Sequence, residues 1–129
     1  MTEQELKQYS PLTLAFLGDA VYEQLARERI VSAANMPIRK LHALTVKRVC
    51  AEYQAEAIKR LSDSGMLTEE EQEVVRRGRN ACGVNPPKHS TVLEYRAATA
   101  LECLFGYLHL AGRDERAREL FDALWESPE

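Results

Sequence analysis

The sequence is poor in cysteine, in long apolar runs and in strand-like patterns. Its three cysteines, Cys50, Cys82 and Cys103, lie far apart without a Cys-x-x-Cys pair, which argues against a disulfide framework or a zinc site. No apolar run approaches the ~18 residues that a membrane span requires. The N-terminus, MTEQELKQYS, lacks the basic and apolar regions of a secretory signal. We therefore expect no membrane association and a cytoplasmic location.

Acidic residues are missing from two stretches of a chain whose net charge is −3. Residues 29–51 contain five lysines and arginines without an acid, and residues 74–93 contain four. Segregation of this kind can create a positive face on a mildly acidic protein, as nucleic-acid binding requires. Charge alone favours the interpretation that these stretches are ordinary solvated helix faces.

Helix-favouring residues fill the segments between the prolines and glycines, which predicts one all-α domain over residues 1–129. The predicted helices cover approximately residues 11–31, 37–65, 68–80, 91–111 and 114–126. Three of them begin at recognisable N-terminal signals, namely Ser10 before Pro11, Thr68 with Glu71, and Thr91 with Glu94. The segment ACGVNPPKHS between the third and fourth helices is predicted to be a loop.

The first and fourth predicted helices are apolar on nearly every side. An acid near the middle of each helix is surrounded by apolar residues, Asp19 in the first and Glu102 in the fourth. This pattern predicts a central helix pair that is covered on more than one face. A second subunit is one way to provide that cover, so a homodimer is our hypothesis.

Asp19 and Glu102 have no basic residue three or four positions away on their own helices. Because an isolated carboxylate in an apolar interior costs several kcal/mol, each needs a partner from elsewhere. One interpretation is an ion pair with an arginine of another helix, such as Arg96. The other is a hard divalent cation such as Mg²⁺, bound by carboxylate oxygens. Together with the basic stretches, the second interpretation indicates metal-assisted chemistry on phosphates.

Three blocks of sequence resemble the ribonuclease III family. AFLGDAVYE, residues 15–23, resembles the signature helix of its endonuclease domain, and TALECLFGYLHL, residues 99–110, resembles its second acidic helix. Between them, RRGRNA and PPKHSTVLEYRAAT are similar to the Mini-III branch, small bacterial ribonucleases that lack a double-stranded-RNA-binding domain. The resemblance extends from about Leu12 to Trp125, and it implies the helical fold of the ribonuclease III endonuclease domain.

The resemblance implies that Asp19 and Glu102 are the catalytic residues and bind Mg²⁺. In ribonuclease III proper two further acids complete the metal site, and Ala15 and Thr99 occupy those positions here, as in the Mini-III branch. Glu23, one turn after Asp19, is either an additional helper of the site or an ordinary surface glutamate.

The implied reaction is hydrolysis of double-stranded RNA to give 5′-phosphate and 3′-hydroxyl ends. The implied substrate is the precursor of large-subunit (23S) ribosomal RNA, cut by a homodimer, with a ribosomal protein as a further candidate partner. The candidate RNA-binding residues are Arg76, Arg77, Arg79, Asn80 and Lys88, with His42 and Lys47. Two alternatives remain: a non-catalytic RNA-binding member of the same fold, and a helical interaction dimer with structural carboxylates.

Overall fold

The computed structural model describes residues 1–81 and 91–125, and within these residues all regular structure is helical. The helices are α1 (Glu3–Lys7), α2 (Pro11–Ala33), α3 (Ile38–Val49), α4 (Ala51–Asp63), α5 (Glu69–Asn80), α6 (Val92–Leu110) and α7 (Asp114–Trp125). The prediction of an all-α fold is confirmed. None of the described helices is long and apolar enough to cross a membrane.

The predicted helix starts are formed by the expected side chains. Ser10 accepts a hydrogen bond from the Thr13 backbone N–H ahead of Pro11, and Thr68 and Thr91 each form a reciprocal capping box with the glutamate three residues later. Gly65 has the positive φ of 77° that was expected at the end of the second helical region.

The prediction of one helical region over residues 37–65 is wrong in one respect, because α3 and α4 are separated at Cys50. Cys50 has an extended backbone, with φ −72° and ψ 157°. The hydroxyl of Tyr22 donates to the carbonyl of Arg48 at 2.8 Å, which occupies an oxygen that a continuous helix would use. The short helix α1 was also not predicted, although Thr2 and Glu5 form a capping box there.

Helices α2 and α6 form the central pair that the sequence predicts, and α4 and α5 pack on α6 while α3 packs on α2. The two central helices meet at glycines. A Cβ atom on Gly18 would lie 1.6 Å from the carbonyl oxygen of Glu102, and one on Gly106 would lie 1.9 Å from that of Leu14. Since no side chain fits in either place, both glycines are needed for this close crossing.

An aromatic cluster fills the interior beside this crossing. The rings of Tyr22, Phe105 and Phe121 meet edge to face, with centroids 5.4 to 6.3 Å apart. Phe121 also contacts Trp125, which anchors the end of α7. The cluster joins α2, α6 and α7, so it fixes the two central helices relative to each other.

The expectation that α2 is covered on more than one face is not met within the single chain. Its inner face is buried, but Leu12, Phe16 and Val31 on its outer face are 46%, 83% and 58% exposed. Ile38 at the start of α3 is 80% exposed as well. We call Leu12, Phe16 and Val31 the outer apolar face.

Candidate functional site

The Asp19 and Glu102 side chains come together at the crossing of α2 and α6. Asp19 directly follows Gly18, and Gly18 lies against the backbone of Glu102. The two carboxyl groups are close enough to share a hydrogen bond. Burial, followed by the negative charge of Asp19 and this hydrogen bond, raises the pKa of Glu102 to about 8. The pair therefore retains a proton at neutral pH when no cation compensates it.

The expectation that both acids are buried is wrong for Asp19, which is exposed, whereas Glu102 is half-buried. Helix geometry explains the difference. Asp19 lies between the face of α2 that packs on α6 and the outer apolar face, which this chain leaves uncovered. Glu102 lies on α6, and almost all the residues that precede and follow it on this helix are buried.

No cation of the described residues forms an ion pair with Asp19 or Glu102. Arg96, the partner suggested by the alternative interpretation, does not reach them, and its buried Nε atom has no hydrogen-bond partner. Glu23 is bonded to Arg27 one turn further along α2, with Nε and Oε2 2.9 Å apart. Its structural role is accounted for by that local pair.

The donor set fits a hard divalent cation. Two facing carboxyl groups provide oxygen ligands, and a cation between them would replace the retained proton and relieve their repulsion. The site is small. Among residues 1–81 and 91–125, there is no group of three or more His, Cys, Asp or Glu side chains that could hold a metal ion. Ala15 and Thr99 are both buried, at 5% and 6% exposure.

Gln54 is a component of the site that sequence reasoning missed. It lies on α4, is 2% exposed, and its side chain lies near enough to Glu102 to oppose the rise in the pKa of that carboxyl group. Its buried Nε2 atom has no hydrogen-bond partner among the described residues. The signal was present in the sequence, because Gln54 interrupts the apolar stripe formed by Ala57, Ile58 and Leu61.

Four candidate RNA-binding residues lie on the last turns of α5. Gly78 faces α6, where a Cβ atom would be 2.8 Å from Cβ of Cys103, the neighbour of Glu102. Arg76 and Asn80, two positions before and after Gly78, are on the opposite side of α5 and exposed. Arg79 is exposed too, and the half-buried Arg77 lines a groove with residues of the acidic first turn.

The charges of α5 also have a structural role. Acids fill its first turn and arginines its last, which is the arrangement that stabilises a helix dipole. Arg76 is bonded to Glu73 with Nε and Oε1 3.1 Å apart. An incoming phosphate would therefore compete with Glu73 for this arginine.

The remaining candidates are not brought together with α5. His42 and Lys47 are exposed on α3, a helix without acidic residues that packs on α2 and α4. They belong to a different helix from the arginines of α5. Lys88 lies outside the described residues.

The comparisons with known proteins agree with this architecture. A model of the ribonuclease III domain matches residues 12–113. The Mini-ribonuclease 3 of a Thermoanaerobacter species is 47% identical over 122 residues, which cover 95% of this chain and 84% of that protein. That of Staphylococcus aureus is 36% identical, covering 95% and 91%. A crystal structure of a protein from Fusobacterium nucleatum superposes with a TM-score of 0.84 at 31% identity, covering 93% of this chain and 96% of that chain.

The chain therefore belongs to the ribonuclease III family, whose members are metal-dependent nucleases, and it is an endoribonuclease. Within that family its relatives place it in the Mini-ribonuclease 3 branch.

Proposed function

We propose that the chain is an Mg²⁺-dependent endoribonuclease that cuts double-stranded RNA and leaves 5′-phosphate and 3′-hydroxyl ends. The observation that carries this proposal is the pair formed by Asp19 and Glu102, two facing carboxyl groups without a cationic partner among the described residues. Carboxylate oxygens are the ligands that Mg²⁺ prefers.

Asp19 and Glu102 hold the cation in this proposal, and neither acts as a nucleophile. A bound divalent cation supplies an acidified water and offsets negative charge on the scissile phosphate. Gly18 and Gly106 keep the two carboxyl groups close by allowing α2 and α6 to touch. The exposed position of Asp19 leaves the pair accessible from outside the chain, as a polymeric substrate requires.

In this proposal, the arginines at the end of α5 contact the RNA. Arg76, Arg79 and Asn80 are exposed on a helix whose last turns pack beside the turn of α6 that carries Glu102. Double-stranded RNA is recognised mainly through phosphates and 2′-hydroxyls, so these side chains need not read bases. We assign Arg77 and Lys88 to the same contact, and His42 and Lys47 on α3 to a second contact further along the RNA.

A homodimer completes the proposal. The outer apolar face, with Phe16 83% exposed, is an apolar part of α2 that the single chain leaves uncovered. Large exposed apolar patches mark interaction sites in soluble proteins, and α2 carries both this face and Asp19. Pairing two chains through it would give two centres for the two strands of one RNA.

The proposed cellular substrate is the precursor of 23S ribosomal RNA, and the proposed location is the cytoplasm. This assignment comes from the resemblance to the Mini-III branch. A ribosomal protein that presents the RNA is a further partner under the same proposal.

The decisive experiment is cleavage of long double-stranded RNA by purified protein, with Mg²⁺ or with EDTA. We expect cleavage only with Mg²⁺, and we expect Asp19→Asn and Glu102→Gln each to reduce it by at least about 100-fold, since each removes one of two metal ligands. Asp63→Asn is the matched control. Asp63 is an exposed acid bonded to Lys59 on α4, so this variant should cleave normally.

Two results would contradict the proposal. Cleavage that persists in EDTA or in Asp19→Asn excludes the assigned metal site. Wild-type protein that binds the RNA without cutting it supports the alternative of a non-catalytic member of the fold.

A further inference from the structure

Gln54 is a polar residue in a place that packing alone would assign to an apolar one. It is 2% exposed on α4, and the next turns of the same stripe carry Ala57, Ile58 and Leu61. Burying an amide without satisfied hydrogen bonds is costly, and its Nε2 atom has no hydrogen-bond partner among the described residues. A leucine or methionine would fill this position without that cost.

The amide of Gln54 faces the carboxyl group of Glu102. Helix α4 packs directly on α6, so the contact is made across a fixed helix pair rather than from a loop. An amide NH₂ group donates to carboxylate oxygens. Carboxylates that bind metals are commonly held by such a neighbour, which sets their orientation.

We propose that Gln54 is a positioning residue for Glu102. Its NH₂ group donates a hydrogen bond to the Glu102 carboxylate and holds it in the orientation that, with Asp19, binds the divalent cation. Gln54 touches neither the cation nor the RNA. This inference rests on the proposed function of the Asp19 and Glu102 pair.

The test compares wild-type protein with Gln54→Met, which keeps the length of the side chain and removes the donor. Three quantities are measured: the affinity for Mn²⁺ without RNA, by calorimetric titration; the Mg²⁺ concentration for half-maximal single-turnover cleavage; and the affinity for double-stranded RNA in EDTA. We expect Gln54→Met to weaken Mn²⁺ binding about ten- to 100-fold, as loss of a neighbour that orients a ligand does elsewhere. The Mg²⁺ midpoint should rise in parallel, while RNA affinity in EDTA stays unchanged.

Ile58→Val is the control for a purely structural effect. Ile58 lies one turn after Gln54 and is fully buried, so this variant perturbs the packing of the same helix without removing a hydrogen-bond donor. It should leave the Mn²⁺ affinity and the Mg²⁺ midpoint at their wild-type values even where its melting temperature falls. If Gln54→Met does not fold, Gln54→Asn carries the same expectation, because its amide is one methylene too short to reach Glu102.

The outcomes separate this inference from the function on which it rests. Wild-type cleavage together with an unchanged Mn²⁺ affinity and Mg²⁺ midpoint in Gln54→Met overturns the positioning role alone. Equal shifts in Gln54→Met and Ile58→Val overturn it as well. A wild-type protein that binds Mn²⁺ but does not cleave RNA contradicts the proposed function, and the Mn²⁺ titration of Gln54→Met still decides the role of Gln54. A wild-type protein that binds no Mn²⁺ overturns both.

Discussion

Gly18 is in contact with the backbone of Glu102, and a Cβ atom at Gly18 would lie 1.6 Å from the Glu102 carbonyl oxygen. The contact joins the packing of the fold to the geometry of the site. Asp19 is covalently next to Gly18, so the approach that lets α2 and α6 cross also brings the two carboxyl groups together. A change in the distance between α2 and α6 therefore also changes the distance between the carboxyl groups of Asp19 and Glu102.

Gly18→Ala should separate the central helices. Because the added methyl group meets backbone rather than a movable side chain, we expect it to lower the free energy of unfolding by about 3 kcal/mol or more, the upper part of the range for overpacking. Urea unfolding of the purified protein measures the loss. Any folded fraction should bind divalent cations more weakly than wild type.

Gly65→Ala is the matched control. Gly65 has φ 77° but no atom within 4 Å of its missing Cβ, so the substitution costs only local backbone strain of about 1 kcal/mol. A Gly18→Ala protein no less stable than Gly65→Ala would contradict the role assigned to the helix contact.

The sequence predicted where the helices begin and end better than it predicted the contacts between helices. Pro11, the capping boxes and Gly65 act within a few residues of chain, so their effects were readable in advance. The break at Cys50 was not, because it depends on the Tyr22 hydroxyl, which reaches the carbonyl of Arg48 from another helix.

The same distinction applies to the candidate site. The isolation of Asp19 and Glu102 within their own helices was visible from spacing alone, and their pairing followed from placing both helices at the centre. The exposure of Asp19 could not be inferred, since it depends on which face of α2 this chain leaves uncovered. Gln54 was overlooked because its importance comes from a contact between α4 and α6.

Arg116→Met should destabilise the protein in a pH-dependent way. Burial alone would raise the pKa of Glu71, but hydrogen bonds from Arg116 and from the Thr68 backbone outweigh it and lower that pKa. Arg116 binds both carboxylate oxygens at 2.8 Å. Leaving a buried carboxylate unpaired costs about 3 kcal/mol at neutral pH.

The sign of the pH dependence follows from linkage. A carboxyl group whose pKa is lowered by folding stabilises the fold above its ordinary value of 4.5, and that stability is lost as pH falls through the folded pKa. The difference in unfolding free energy between wild type and Arg116→Met, measured by urea unfolding, should therefore become smaller in acid. Lys59→Met, which removes an exposed pair with Asp63, should cause no measurable change. A difference that stays constant with pH would exclude this account.

Phe16→Glu should dissociate the proposed homodimer. Phe16 is the most exposed residue of the outer apolar face, at 83%, and a charge there would have to be buried in the dimer without a partner. Sedimentation equilibrium should give the mass of two chains for wild type and of one chain for the variant. Leu93→Glu is the control, because Leu93 is similarly exposed, at 78%, but belongs to α6 rather than to α2. A wild-type mass of one chain would refute the dimer.

Glu102→Gln should remove a pH dependence of stability that the metal-free protein shows between pH 4.5 and about 8. Burial and the neighbouring Asp19 raise the pKa of Glu102 from 4.5 to about 8, so the folded state retains a proton that the unfolded state releases in this window. The resulting stability is fully present below the unfolded pKa and is lost as pH rises through the folded pKa. Unfolding in EDTA across the window should thus show wild type losing stability relative to Glu102→Gln. Because a divalent cation competes with that same proton, its affinity for wild type should increase with pH and level off above about 8. A cation affinity independent of pH in this range would show that the cation does not bind at Glu102.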